Sequence, residues 1–327
     1  MESAVHLNIG TPLFYMVFSL MVVVMLSIDA LLLKHHGVHT VRFKEALLWS
    51  VLWVCVSAIF ATWLYFALAN NEMYGVAIAK EKVMEFATAY LLEKSLSIDN
   101  IFVFLMIFSY FNTPSEYQHR VLLFGVLGAI VFRLIVILLG VILVQKFSWI
   151  LYIFGVFLVF SAIKMMLPEK EEDKDLSRNP LLRFFRRIFP LSENFNQEYF
   201  FTKENGKLLL TPLFLVLLMI ESSDIIFAID SIPAVFSVSN DPFIIITSNI
   251  FAILGLRAMY FLLANAADRF VFLQYGLAFV LFFIGIKMLI VHWIHIPIAV
   301  SLSVVFGAIG ASVMISLKHE KKVQNNT

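Results

Sequence analysis

Glu221-Ser-Ser-Asp-Ile-Ile-Phe-Ala-Ile-Asp-Ser-Ile-Pro-Ala-Val-Phe236 lies inside a stretch, 208–237, that otherwise reads as a membrane-spanning helix. Glu93-Lys-Ser-Leu-Ser-Ile-Asp-Asn100 lies inside a second such stretch, 86–110. Together they put Glu93, Asp99, Glu221, Asp224 and Asp230 where hydrocarbon is expected. A charged side chain at the bilayer centre costs roughly 2.5–3.5 kcal/mol on insertion scales, so such residues mark polar pathways and ion sites.

The rest of the chain supports that setting. Of 327 residues, 61% are hydrophobic and 14% charged, with a mean hydropathy of +0.90. A soluble domain is about 45–50% apolar and about 25% charged, so the expected class is an all-α polytopic membrane protein. A net charge of +1 gives no electrostatic footprint for nucleic acid. The single cysteine, Cys55, rules out an internal disulfide or a C-x-x-C redox pair, and its apolar surroundings predict a small buried hydrophobe. The first ten residues carry Glu2 and no Lys or Arg, unlike a secretory signal. The first apolar stretch is therefore expected to remain as a helix.

A span needs about 20 mainly apolar residues. Nine are expected, at 11–33, 46–69, 86–110, 121–144, 147–167, 208–237, 243–264, 270–291 and 297–317. Lys and Arg concentrate in alternate loops: Lys34, Arg42 and Lys44, then Arg120, then 168–207, then Arg269 and the C-terminal tail. The positive-inside rule then puts the N-terminus outside and the C-terminus in the cytoplasm. The segment 168–207 opens with a charge run, continues as Pro180-Leu-Leu-Arg-Phe-Phe-Arg-Arg-Ile-Phe-Pro190, and suits a helix lying in the interface. Asn205-Gly206 between two short runs predicts a small cytoplasmic β-hairpin.

The chain also repeats itself. Ile-Lys-Met sets Lys164 against Lys287, an offset of 123; Arg133 against Arg257 gives 124; Asp99 against Asp224 gives 125. The copies begin at the third and sixth spans, so they should be inverted, three helices plus three, as in many transporters. The expected organisation is one membrane domain: two N-terminal helices (11–69), repeat one (86–167), the cytoplasmic loop (168–207), repeat two (208–291) and a last helix (297–317). Inversion places Asp99, Glu221 and Asp224 at the centre. Glu93 and Asp230, each six residues away, fall roughly 9 Å toward the outside at 1.5 Å per residue. Pro233 is a candidate helix break, with Ser222, Ser223 and Ser231, or Ser95 and Ser97 in the first copy, able to satisfy freed backbone groups.

Carboxylate, amide and hydroxyl oxygens suit hard divalent cations. The candidate metal-site residues are Glu93, Asp99, Asn100, Glu221, Asp224 and Asp230. Crowded carboxylates can also exchange a proton for a metal ion. Internal ion pairing is the competing reading, with Arg133, Arg257 and Lys94 as the cations, while Lys164 and Lys287 should snorkel toward the surface. The histidines lie in loops or at span ends and read as polar anchors.

These motifs, with Asp241-Pro-Phe and Thr247-Ser-Asn-Ile-Phe-Ala-Ile-Leu-Gly-Leu-Arg-Ala-Met-Tyr260, resemble the TerC family of bacterial integral membrane proteins, closest to its Alx branch, over nearly the whole chain. The resemblance implies an inner-membrane protein of the broad LysE-like exporter superfamily. Family labels include redox modulation and tellurite resistance. Manganese export is also attributed to it, with intramembrane acids implicated, which here would be Glu93, Asp99, Glu221, Asp224 and Asp230. It implies transported Mn²⁺ rather than a resident cofactor, the lipid bilayer as partner, and no enzyme activity.

Overall fold

Residues 46–68 show why these segments become membrane helices. Ala46, Trp53, Ser57, Phe60, Leu64 and Leu68 recur at helical spacing and are buried, while Leu48, Val51, Leu52, Val54, Ile59 and Phe66 on the other face are equally apolar and exposed. A helix apolar all round, with one face uncovered, is stable only where that face meets lipid. The structure, a computed structural model, describes residues 8–36, 43–147, 149–166, 180–192, 195–204, 207–264, 272–290, 293–294 and 296–324.

The chain is mostly helical. In order come α1 (Pro12–His36), α2 (Phe43–Ala69), α3 (Gly75–Tyr110), α4 (Ser115–Lys146), α5 (Ile150–Met166), α6 (Pro180–Ile188), β1 (Phe201–Glu204) and β2 (Lys207–Leu210). They are followed by α7 (Pro212–Phe236), α8 (Pro242–Leu254), α9 (Leu256–Ala264), α10 (Leu273–Leu289) and α11 (Ile298–Gln324). Among the described residues, α1, α2, α4, α7 and α11 are long and apolar enough to cross a membrane. A sixth crossing results if α8 and α9, bent by 41°, count as one. The other three expected spans coincide with α3, which carries too many charges to pass as an apolar span, and with α5 and α10, of 17 residues each.

Helix α3 packs on α8, and α4 packs on α7; α5 lies along α10. The last pair approaches closely, because a Cβ on Gly285 would stand 2.9 Å from the Gly155 carbonyl oxygen. Helix α2 covers α3 and α9, α11 covers α10 and α3, and α1 touches α8.

Several expected boundaries move. Helix α3 begins at Gly75, well before residue 86, and α7 begins at Pro212. The predicted break at Pro233 does not occur: α7 runs unbroken to Phe236. Pro233 still removes one backbone hydrogen bond, but it sits in the last turn, where little helix lies beyond it to be redirected. The interruption falls instead inside 243–264, at Gly255 between α8 and α9. There the Lys94 ammonium of α3 donates to the Ala252 carbonyl at 3.1 Å, occupying space that a Cβ on Gly255 would fill. A broken helix at membrane depth is tolerated where protein supplies the missing partner.

The expected hairpin forms, with Phe201 opposite Leu210 and Glu204 opposite Lys207; its Asn205-Gly206 turn and the charge run 169–175 lie outside the described residues. Arg120 at the start of α4 pairs with Glu198 at 3.1 Å and lies over the rings of Tyr199 and Phe200. Cys55 is exposed among the apolar residues of α2, against the buried position expected. An all-apolar helix does not reveal from its sequence which face meets lipid.

Candidate functional site

Arg133 lies deep in α4 with 1% of its surface exposed. Its guanidinium joins three other helices. Nη1 forms an ion pair with Glu93 of α3, while Nη2 and Nε reach the two oxygens of Asp224 on α7, each at 3.4 Å. Nη1 also donates to Ser231 Oγ at 3.4 Å and to Asn249 Oδ1 of α8 at 3.2 Å. Asn100 Nδ2 donates to Asp224 Oδ1 at 3.2 Å. Glu93 is fully buried and its Oε2 has no hydrogen-bond partner among the described residues.

Glu221 stands one turn from Asp224 on α7. Its carboxylate presses against Gly128 of α4, where any Cβ would collide with it, and its Oε2 is buried without a partner among the described residues. Glycine at 128 is what lets a carboxylate enter the α4–α7 contact. A cavity of about 10 Å³ lies beside Asp224, lined by Phe104, Leu122, Ile220, Leu256 and the start of α9 at Arg257. That is about room for one water.

The structure therefore brings together Glu93, Asn100 and Asp224, with Glu221 alongside on the same α4–α7 seam. Asp99 and Asp230 belong to α3 and α7, but their side chains lie outside the described ones. Glu93 was expected roughly 9 Å outward of Asp224; one guanidinium instead contacts both. Counting residues along separate helices gives depth only if the helices run straight and parallel, and α3 and α7 need not. Among the described residues, no three Asp, Glu, His or Cys side chains converge as a ready metal cage.

The competing cations are distributed differently from the simple pairing expected. Lys94 follows Glu93 in sequence but is rotated about 100° around α3, so it faces the end of α8. Arg257 pairs with Asp29 of α1, Nη2 to Oδ1 at 2.8 Å, and also donates to the Asp29 carbonyl. Lys287 donates to the Ser237 carbonyl at the end of α7 at 3.3 Å and to Ser301 Oγ in the first turn of α11 at 3.0 Å. Ser95, Ser97, Ser222 and Ser223 donate to carbonyls one turn back in their own helices; Ser231 alone of the serines considered turns to Arg133.

Sequence reasoning missed Asn249. The signal was present as the polar run Thr247-Ser248-Asn249 in an apolar helix, all three buried. Thr247 and Ser248 donate back into α8, while Asn249 bridges Ile245 O and Arg133. Away from this centre, Asp241 caps α8 through Phe243 N at 2.9 Å and accepts from Ile9 N at 3.0 Å. Burial pushes its carboxyl up, against the Ile9 N–H and the Lys82 charge, which pull it down. His119 stacks on Phe261, ring centroids 4.1 Å apart, a packing role. His292 and His295 lie outside the described residues.

Residues 78–325 match the model of the integral membrane protein TerC family. The chain is similar to proteins that carry the provisional name membrane-bound redox modulator Alx. One from Salmonella typhi is 52% identical over 94% of this chain and 95% of its own. Another, from Escherichia coli strain K12, is 50% identical over 96% and 98%. An uncharacterized membrane protein of Myxococcus xanthus, STKORF319, is 46% identical over 95% of this chain and 93% of its own. No solved structure matches. With carboxylates and an arginine buried between apolar helices, a matched family model over most of the length, and full-length relatives, the chain belongs to the TerC family of integral membrane proteins.

Proposed function

We propose that the protein exports a divalent cation, manganese above all, across the bacterial inner membrane through the acidic centre between α3, α4, α7 and α8. The observation that carries the reading is one guanidinium, Arg133, shared by two buried carboxylates, Glu93 and Asp224, with a third, Glu221, a turn away. Three carboxylates against one cation leave a negative excess in an apolar bundle, and such an excess is expensive unless a cation or protons relieve it. Arg133 is then the resident counter-charge. An arriving metal ion competes with it for the oxygens of Glu93 and Asp224, helped by the amide of Asn100, and Asp99 and Asp230 complete the acidic set. Inward proton movement is the coupling we favour, because each carboxylate released by the metal can take up a proton.

The nine-span, N-out arrangement with inverted repeats belongs to this reading. The packing supports it: exchanging the two copies turns the α3–α8 contact into the α7–α4 contact and maps α5–α10 onto itself. Flux of a panel of divalent cations into proteoliposomes under imposed pH gradients tests the proposal. Asp99→Asn and Asp224→Asn should each abolish manganese flux. Undiminished flux in both variants would remove the site assignment, and no flux of any divalent cation in the unaltered protein would remove the transport reading.

The name carried by the relatives favours a second reading, a redox or stress-resistance role without transport. A dithiol cycle needs two thiols and the sequence has one; direct tellurite handling needs an anion site, against the acidic excess. Cys55→Ala should leave function intact, and a loss of function in that variant would revive the redox reading.

A further inference from the structure

Helix α6 is built of two ridges that point the same way outward. Arg183 and Arg187 lie four residues apart on one, Phe184 and Ile188 on the next, and all four are exposed, Phe184 at 56% and Ile188 at 53%. The opposite face, Leu182 and Phe185, packs on the protein. The helix cannot swing free, because the chain leaving it is tied to β2: Leu210 N donates to Pro190 O and Ser192 N donates to Leu210 O, both at 2.9 Å. Strand β2 in turn leads directly into the membrane helix α7 at Pro212. One face of the hairpin repeats the pattern, with exposed Phe201 and Leu208 beside exposed Lys203.

An exposed pair of large apolar side chains beside an exposed pair of arginines has one environment that satisfies both, the boundary between acyl chains and anionic headgroups. Pure hydrocarbon would strand the guanidinium groups, and bulk water would leave Phe184 and Ile188 uncovered. The short tether to α7 holds α6 close to that boundary.

We propose that α6, with the β1–β2 hairpin, docks on the anionic headgroup surface of the membrane, Phe184 and Ile188 entering the acyl boundary and Arg183 and Arg187 pairing with lipid phosphates. The docking is independent of what the bundle transports.

The test uses the full chain with Cys55→Ala and Ile188→Cys, the new thiol labelled with an environment-sensitive fluorophore. The protein is reconstituted in vesicles of phosphatidylcholine with or without phosphatidylglycerol. Shallow nitroxide lipids should quench the label, and phosphatidylglycerol should increase the quenched fraction. Each arginine near an anionic leaflet should favour the docked position by about fivefold. Arg183→Gln with Arg187→Gln should therefore abolish the phosphatidylglycerol effect while leaving some quenching through Phe184. Labelling at Phe184→Cys in the same background gives a second reading if the first variant folds poorly. A label that stays open to aqueous iodide in both lipid mixtures would overturn the proposal and leave this face to a protein partner. Quenching that ignores phosphatidylglycerol would overturn the anionic recognition.

Discussion

Replacing Arg133 by methionine should be the most damaging single change in the bundle. The side chain is 1% exposed and holds two carboxylates that are themselves 0% and 3% exposed, Glu93 and Asp224. Removing one partner of a buried ion pair costs about 3–5 kcal/mol, because the charge left behind is uncompensated. Arg133→Met strands two charges and also frees Asn249 Oδ1, so its cost should lie at or above the top of that range. Glu93→Gln or Asp224→Asn leaves the guanidinium one carboxylate and should cost clearly less. Unfolding of the detergent-solubilised protein by dodecyl sulfate, followed through its five tryptophans, gives the three values. Adding Glu93→Gln to Arg133→Met should recover part of the loss, with a coupling of about 0.5–3 kcal/mol as found for contacting residues. A Glu93→Gln variant as unstable as Arg133→Met, or an Arg133→Met variant indistinguishable from the unaltered protein, would refute the shared-guanidinium arrangement.

Two further outcomes follow from close approaches. Gly128→Ala puts a methyl where the Glu221 carboxylate sits; the carboxylate must swing to another rotamer, so the loss in the same unfolding assay should be about 0.5–1.5 kcal/mol, and Glu221→Ala in the same chain should reverse most of it. Lys94→Met removes the donor to Ala252 O at the α8–α9 break, and leaving a buried acceptor unsatisfied should cost about 1–3 kcal/mol; amide hydrogen exchange should rise around residues 250–258 and stay unchanged in α5 and α10.

What could be read from the sequence was whatever depends on apolarity along one segment. The long helices, α6 and the hairpin follow from hydropathy, helical spacing and Asn-Gly, and the acidic residues stood out because hydrocarbon makes them costly. What failed depended on partners distant in sequence. Gly255 lies between two leucines in an apolar run and gives no local stop signal; the break there is satisfied by a lysine 158 residues upstream of Ala252. Pro233 is a strong local breaker, but it lies in the final turn of α7, with only three helical residues beyond it to redirect. Cys55 looked buried because its neighbours are apolar, and a lipid-facing surface has the same composition as a core.

The arginines carry this furthest. Arg133 and Arg257 lie 124 residues apart, close to the offset that aligns Asp99 with Asp224, and composition alone sets both against the five acids of 86–110 and 208–237. Tertiary packing separates them. Arg257 lines the small cavity beside Asp224, yet its described bonds go to Asp29 of α1. Asp29 is thus the partner that removes Arg257 from the central account, and Lys94 is removed in the same way by the end of α8. Each apparent counter-charge that tertiary structure assigns elsewhere deepens the negative excess around Asp224. Residues that align in sequence thus fix the chemistry available, while helix α1 decides that Arg133 alone of the two arginines serves Glu93 and Asp224. An acidic centre kept short of cations by its own fold is what the proposed entry of a cation from outside requires.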